Sequence, residues 1–381
     1  MQQQLLPPYR IPFFTELGRK VDLTVAIAPN VEIHGASTVL PTFQGETFTV
    51  KWFEQSKFLG RIHQKGLMEY ILTIRPDVLV AGSSYLSYYF WHLLTLAKLR
   101  QMGVRLFTWG CDGYEFRQTG DWDRFRSKTL RRKLHHWYLG TQYKVRVDGF
   151  IGYSQHTADF WKSAFQIPDE RISVAENAVD TSTMENEYKN VQSGQTKKHL
   201  GQVIFVGRLI ESKRVHILLR AFARARLKAT DAHLLIVGDG PARSSLEALS
   251  ESLSLAGSVE FRGNVGEKKP LAKLLASSGC FVLPGYGGLA INEAMAAGLA
   301  IVCSRGDGTE KHLVRDGENG YLIPWEDEDT MTNKIITLLS DPEQTRRMGE
   351  QSYRLITQSF SLTNMVNKYV LALSRNAERH T

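Results

Sequence analysis

The sequence predicts an α/β protein of two doubly wound domains, and three observations carry that expectation. Between Gln202 and Asn319, short apolar strands each end in a glycine-bearing loop that opens a helix: VIFVGRLIESKR, HLLIVGDGP, VEFRGNVGE, CFVLPGYGGLAINEAMAAG and AIVCSRGDG. Alternation at this spacing builds a parallel sheet with right-handed crossovers, so all of these loops leave along one edge. Upstream, DLTVAIA (Asp22–Ala28), VLVA (Val78–Ala81), VRLFT (Val104–Thr108) and GFIGY (Gly149–Tyr153) repeat the alternation with helical stretches between them. The length, 381 residues, exceeds one ordinary core and suits two.

Taken in order, the first domain is expected over residues 1–180. Its first helix, Ile11–Lys20, is preceded only by MQQQLLPPYR, whereas a doubly wound domain needs a central strand there, so the expectation is a reading frame that starts short of that strand. Residues 181–200 (TSTMENEYKNVQSGQTKKHL) are polar and poor in branched apolar side chains, and are expected to be the interdomain linker. The second domain follows over residues 201–360, closing with a strand at Gly320–Pro324 and helices at Asp327–Leu339 and Pro342–Gln358. The tail, 361–381, holds an amphipathic helix at Leu362–Arg375 expected to cross back to the first domain.

Composition excludes several classes. Cys111, Cys280 and Cys303 are scattered without CxxC spacing, against a disulfide framework or zinc site and in keeping with a reducing cytosol. MQQQLL lacks the basic segment of a signal peptide, and Tyr85–Leu99 is too interrupted for a membrane span. The formal charge of +8 favours anionic partners. Much of the excess lies in Arg124–Arg146, where Leu130, Leu134, Trp137 and Tyr138 recur at helical spacing among Arg131, Arg132, Lys133, Lys144 and Arg146. That helix is either half-buried with a solvated cationic face or in contact with an anionic membrane surface, the inner face of the cytoplasmic membrane. No recognition motif accompanies the charge, so nucleic acid is not an expected partner.

The chemistry is expected at the carboxyl edge of the second sheet, where ligands of such folds bind. Arg208 follows the strand Val203–Val206 and Gly207, and Lys213 opens the next helix; two cations there can neutralise a pyrophosphate. Bare backbone amides at Gly285, Gly287 and Gly288 add an anion cradle, and Glu293, one turn into the helix from Leu289, can accept hydrogen bonds from vicinal hydroxyls. This set suits a diphosphate bearing a hydroxyl-rich sugar. Each residue also has a plainer reading: Arg208 as a solvated loop residue, Glu293 as a complement to helix charge. Gly238-Asp239-Gly240 lacks the third glycine of a dinucleotide fingerprint and reads as an ordinary turn. Asp121-Trp122-Asp123 imitates a metal-binding DxD without the flanking strand pattern, and His135 and His136 have no carboxylate in register, so no metal site is expected.

VGRLIESKR, VGDGP, GLAINEAMAAGLAIV and VRDGENGYLIP, in this order, resemble the carboxyl-terminal nucleotide-sugar domain of retaining glycosyltransferases of family 4 (glycosyl transferases group 1). LPPYRIPFFTEL and GFIGYSQHTADFWKSAFQIPDERISVAENAVD are similar to first-domain segments of that family. The resemblance implies the GT-B fold, two Rossmann-like domains facing each other across a cleft, and a metal-independent, retaining, hexosyltransferase-type enzyme of cell-surface polysaccharide or glycolipid synthesis. Its substrates would be a nucleotide-diphosphate sugar and a glycan or lipid-linked acceptor, with no cofactor. It assigns Arg208 and Lys213 to the donor diphosphate, Glu293 to the ribose, backbone around Gly263–Val265 to the base, and the loop Gly285-Tyr286-Gly287-Gly288-Leu289 to the donor. Three departures follow: Gly285 stands where the family has its first signature glutamate, Arg214 where it has glycine after the lysine, and Trp109-Gly110-Cys111-Asp112-Gly113 lacks the histidine often presented to the donor sugar. Asp112 is then the candidate for holding sugar or acceptor from the first domain, with turn capping as its alternative. A non-catalytic, glycosyltransferase-like binding subunit is the competing expectation.

Overall fold

The computed structural model describes the chain except residues 4–5, 30–31, 34–35, 38–42, 59–60, 83–84, 87–92, 111–129, 307 and 376–381. The chain divides into two units, Met1–Asn177 with Leu362–Thr381, and Ala178–Ser361.

The first unit is built on parallel strands β1 (Thr24–Ile27), β2 (Thr49–Trp52), β3 (Val78–Ala81), β4 (Arg105–Gly110), β5 (Gly149–Gly152) and β6 (Ile172–Val174). β1 pairs with β2, and β3 to β6 pair in sequence order. Residues 1–3 join the two groups. Gln2 bridges Ala26 on one side and Ala81 on the other, both parallel. The Gln2 amide donates to Val80 O at 2.8 Å, the Gln3 amide to Ala26 O at 2.9 Å, and Met1 O accepts from the Ala26 amide at 2.7 Å. The expectation of a missing central strand is thereby corrected: residues 1–3 occupy that place. Hydropathy could not find them, because the segment is tied in by backbone groups and the side chain buried there, at 1% exposure, is a glutamine.

Helices α1 (Ile11–Gly18), α2 (Leu67–Ile74), α3 (Leu93–Gln101), α4 (Leu130–Arg146) and α5 (Gln155–Phe165) belong to this unit. α1 buries Phe13 and Phe14, and Phe13 stacks on Trp109 from the end of β4 with ring centroids 5.0 Å apart. Trp137, expected on the buried stripe of the basic helix, is 68% exposed; α4 instead buries Gln142 and Tyr143, and Tyr143 stacks on Phe165 of α5 at 4.8 Å. Among the described residues no helix is long and apolar enough to cross a membrane.

The second unit begins earlier than the sequence predicts. Ser182–Gln192, read as linker, forms helix α6, whose Met184 is buried in the unit's core and whose Tyr188 stacks on Tyr353 at 4.0 Å. The stripe Met184, Tyr188, Val191 has helical spacing, but its polar neighbours masked it in a compositional reading.

After α6 come strands β7 (His199–Val206), β8 (His233–Val237), β9 (Val259–Gly263), β10 (Ser278–Leu283), β11 (Ala300–Ser304) and β12 (Gly320–Ile323). They form one parallel sheet in the order β9-β8-β7-β10-β11-β12. β10 and β11 are buried along their whole length, as strands covered by helices on both faces must be. β9, at the edge, alternates, with Glu260 and Arg262 outward and paired at 3.1 Å. The covering helices are α7 (Val215–Arg226), α8 (Arg243–Ser252), α9 (Lys268–Ser277), α10 (Ala290–Ala296), α11 (Glu310–Leu313), α12 (Glu328–Ser340) and α13 (Pro342–Ser359). α7 turns Leu218, Leu219 and Phe222 inward. The tail helix α14 (Leu362–Arg375) is part of the first unit; its Tyr369 meets Phe13 and Trp109 edge-on at 5.4 and 5.2 Å.

Candidate donor-binding site

Strand order reverses in the second sheet between β7 and β10, and the loops leaving those two strands flank the crevice that a switch of direction opens. They carry Arg208 and Lys213 on one side and Gly285–Gly288 on the other.

Backbone contacts at this edge account for the glycines. A side chain on Gly238 would meet Gly207 O at 1.9 Å, and one on Gly240 would meet Leu209 O at 2.5 Å. The loops after β7 and β8 are laced by Leu209 N to Asp239 O and Ala242 N to Leu209 O, both 2.9 Å. Gly238-Asp239-Gly240 is thus a turn held against its neighbour. β9 ends at Gly263, whose φ of 73° suits glycine and whose Cβ position lies 3.2 Å from an Arg243 nitrogen.

Lys213 is half-buried, and its ammonium donates to Tyr286 O at 2.9 Å and Gly287 O at 2.6 Å. The Tyr286 amide in turn donates to Ser212 O at 3.1 Å. The loop after β10 is therefore stitched on to residues 212–213. Gly285 is buried in that seam: a Cβ there would lie 2.3 Å from Ser212 O and 2.5 Å from Lys213 C. No side chain fits, so the departure from glutamate at 285 is a matter of backbone contact as well as lost charge. The cradle of amides also narrows, because Gly285 is buried and the Tyr286 amide is taken; Gly287 and Gly288 are the accessible members.

Arg208 is exposed and has no ion-pair partner among the described residues. Glu293 lies in the first turn of α10, partly buried, and its carboxylate has no hydrogen-bond partner among them. Burial pushes this carboxyl above the usual range, against the pull of Lys268. α10 has only seven residues, so its dipole is a small term beside the Lys213 charge.

Sequence reasoning missed two features. Glu310, 1% exposed, accepts from the Gly306 amide at 2.8 Å and the Gly308 amide at 2.9 Å, fixing the loop after β11; Gly-x-Gly-x-Glu directly after a strand was the available signal. The second is an ion pair between Arg214 and Glu326 at 2.6 Å. Both residues hold left-handed backbone, φ 54° and 60°. Each such residue costs roughly 1–2 kcal/mol, while a pair this exposed, 29% and 49%, returns at most about 1 kcal/mol. The Arg214 guanidinium also lies over Trp325 at 5.8 Å, and Trp325 packs on Tyr286 with centroids 4.7 Å apart. Of the remaining sequence candidates, Asp112, Cys111, Asp121 and Asp123 lie outside the described residues. Among the described residues no cluster of His, Cys, Asp and Glu could hold a metal.

Residues 187–355 match the family model described as glycosyl transferases group 1. N-acetyl-alpha-D-glucosaminyl L-malate synthase of Bacillus anthracis is 30% identical over 211 residues, 53% of each chain. A GDP-mannose-dependent alpha-(1-6)-phosphatidylinositol monomannoside mannosyltransferase of Mycolicibacterium smegmatis is 32% identical over 158 residues, 39% of this chain and 41% of that one. The chain spans about half the length of the curated relatives it matches. Among solved structures, Anabaena Alr3699/HepE in complex with UDP superposes over 98% of both chains with a TM-score of 0.72 at 17% identity, a likeness of fold. The expected fold class, two Rossmann-like parallel-sheet domains of the GT-B kind, stands with it.

Proposed function

We propose, for a chain whose residues 187–355 match the group 1 glycosyl transferases, transfer of a sugar from a nucleotide-diphosphate sugar to a glycan or lipid-linked acceptor, with the anomeric configuration retained and without a metal. The observation that carries this reading is the meeting, at the sheet's switch point, of the Lys213 ammonium with the loop that opens the helix of Glu293. Arg208, Lys213 and the amides of Gly287 and Gly288 would face the diphosphate. Glu293, desolvated and without a hydrogen-bond partner among the described residues, would accept from two ribose hydroxyls, and the base would lie near Gly263–Val265.

In the proposed step the bond from anomeric carbon to the phosphate oxygen breaks and its electron pair stays on the diphosphate. The acceptor hydroxyl oxygen bonds to that carbon from the same face, and its proton passes to the departing phosphate oxygen. The protein's task is to stabilise charge growing on the leaving group, which the two cations and the glycine amides do. The seam at Gly285 leaves no room for a carboxylate there, so donor-sugar hydroxyls on that side would be met by backbone.

Release of nucleoside diphosphate from UDP-, GDP- or ADP-sugars, undiminished by EDTA and lost in Arg208→Ala, is the expected result; no release from any donor by the wild type would leave the binding-subunit reading. Docking of the basic helix on an acidic bilayer is supported by Trp137, 68% exposed, and by Leu94 of α3, 75% exposed. Reversing Arg131, Arg132 and Lys133 to glutamate should then release the protein from phosphatidylserine vesicles at low salt, and unchanged partitioning would refute it.

A further inference from the structure

We propose that Arg214 and Glu326 are positioning residues of the donor site. Joined across Trp325, they hold the Tyr286 loop so that Lys213 and the Gly287 and Gly288 amides are presented to a diphosphate. The proposal rests on the reading above and adds residues that reading does not use.

Two side chains with β-carbons occupy left-handed backbone, one after β7 and one after β12, and they are bonded to each other. Glycine would hold either backbone at lower cost, and the half-exposed ion pair does not offset the strain of both. Strain of this kind that stability does not account for points to a role for the side chains. What they reach is the pocket loop. The Arg214 guanidinium covers Trp325, Trp325 packs on the Tyr286 ring, and the Tyr286 carbonyl takes the Lys213 ammonium. The chain of contact closes on itself, because Lys213 immediately precedes Arg214 and the Tyr286 amide is bound by Ser212. The Arg214 Nε is buried without a hydrogen-bond partner, a further sign that packing over Trp325 sets where this side chain lies. Without the pair, Trp325 would lose the guanidinium that covers it, its hold on the Tyr286 ring would loosen, and the loop would sample positions in which Gly287 and Gly288 no longer line the crevice.

The test uses Arg214→Gly and Glu326→Gly in the full chain. Both remove strain, so Tm should stay level or rise. Hydrogen exchange of the 285–288 amides in the free protein should quicken in both variants. The Kd for the nucleoside diphosphate that binds the wild type best, chosen among UDP, GDP and ADP, should rise about 10-fold, with kcat changed less than donor KM. Arg214→Glu combined with Glu326→Arg should recover most of the affinity that either glycine variant loses. Unaltered exchange and unaltered Kd in Arg214→Gly would overturn the proposal, as would a fall in Tm with affinity intact, which would make the pair purely structural. Failure of every nucleoside diphosphate to bind the wild type would instead overturn the function itself, while the exchange measurement would still decide whether the latch positions the loop.

Discussion

Both units are built on parallel strands whose order reverses at the centre, yet their centres are built differently. In the second unit the central place belongs to β7, eight residues long. In the first it is filled by residues 1–3, tied to Ala26, Val80 and Gly82 through backbone bonds. The carboxyl edges differ as well. The second unit's loops are closed by backbone contacts that admit only glycine, and its charged groups stand over that rigid base. The first unit's edge carries an aromatic and cationic cluster: Arg10 lies over Trp109 and Tyr153 at 5.1 and 5.2 Å and bonds the Tyr153 hydroxyl at 3.2 Å. Under the proposed function, a fixed backbone would suit a diphosphate, whose shape is the same in every donor, and side chains would suit a site that must differ from one acceptor to another.

If the second unit's edge is where chemistry is concentrated, Lys213→Ala should have the largest consequence. It removes a cation from the leaving group and two hydrogen bonds from the loop, and kcat/KM should fall by about 10² or more, roughly 2.7 kcal/mol of transition-state binding; near-normal turnover would break the assignment. Gly285→Glu comes next. It restores the family's residue into a seam with no space, so overpacking of about 1–3 kcal/mol should lower Tm by roughly 3–10 °C and weaken donor binding; a variant that gains activity without loss of Tm would show that the loop moves freely.

The contrast between the two centres is sharpened by Gln2→Pro, which deletes the amide bond to Val80. It should destabilise the first unit by about 1–2 kcal/mol, read as an earlier first transition in calorimetry, while nucleoside diphosphate binding at the second unit is untouched. The smallest effect is expected at Glu293. Its carboxyl is raised in the folded chain, so the free protein is favoured below the ordinary carboxyl pKa and loses that advantage as pH rises through the folded value. Glu293→Gln should therefore melt slightly higher than wild type at pH 7, with the gap closing in acid, while its donor KM rises; a lower Tm at pH 7 would mean the carboxylate has a stabilising partner.

How much of this was legible from the chain depends on where each signal resides. The second sheet was readable strand by strand because parallel strands buried on both faces are continuous apolar runs, and the placement of Arg208, Lys213 and Glu293 at its carboxyl edge followed from their offsets to those strands. Residues 1–3 and 182–192 were misread because a central strand made of glutamine and a helix with a thin apolar stripe carry almost no hydropathy. Gly285 looked like a lost carboxylate, and its packing against Ser212 was invisible because that contact joins residues 73 apart in sequence.

By itself, then, the order of residues determined which loops share an edge and which charges decorate it, since alternation and handedness need only local propensity and chirality. Tertiary structure alone decided that the Lys213 ammonium rests on carbonyls of the facing loop, that Gly285 is buried while Gly287 and Gly288 stay accessible, and that Arg214 meets Glu326 over Trp325. These are contacts between backbones and side chains far apart in the chain, fixed by close packing to fractions of an ångström, and no periodicity in a sequence encodes a distance of that kind.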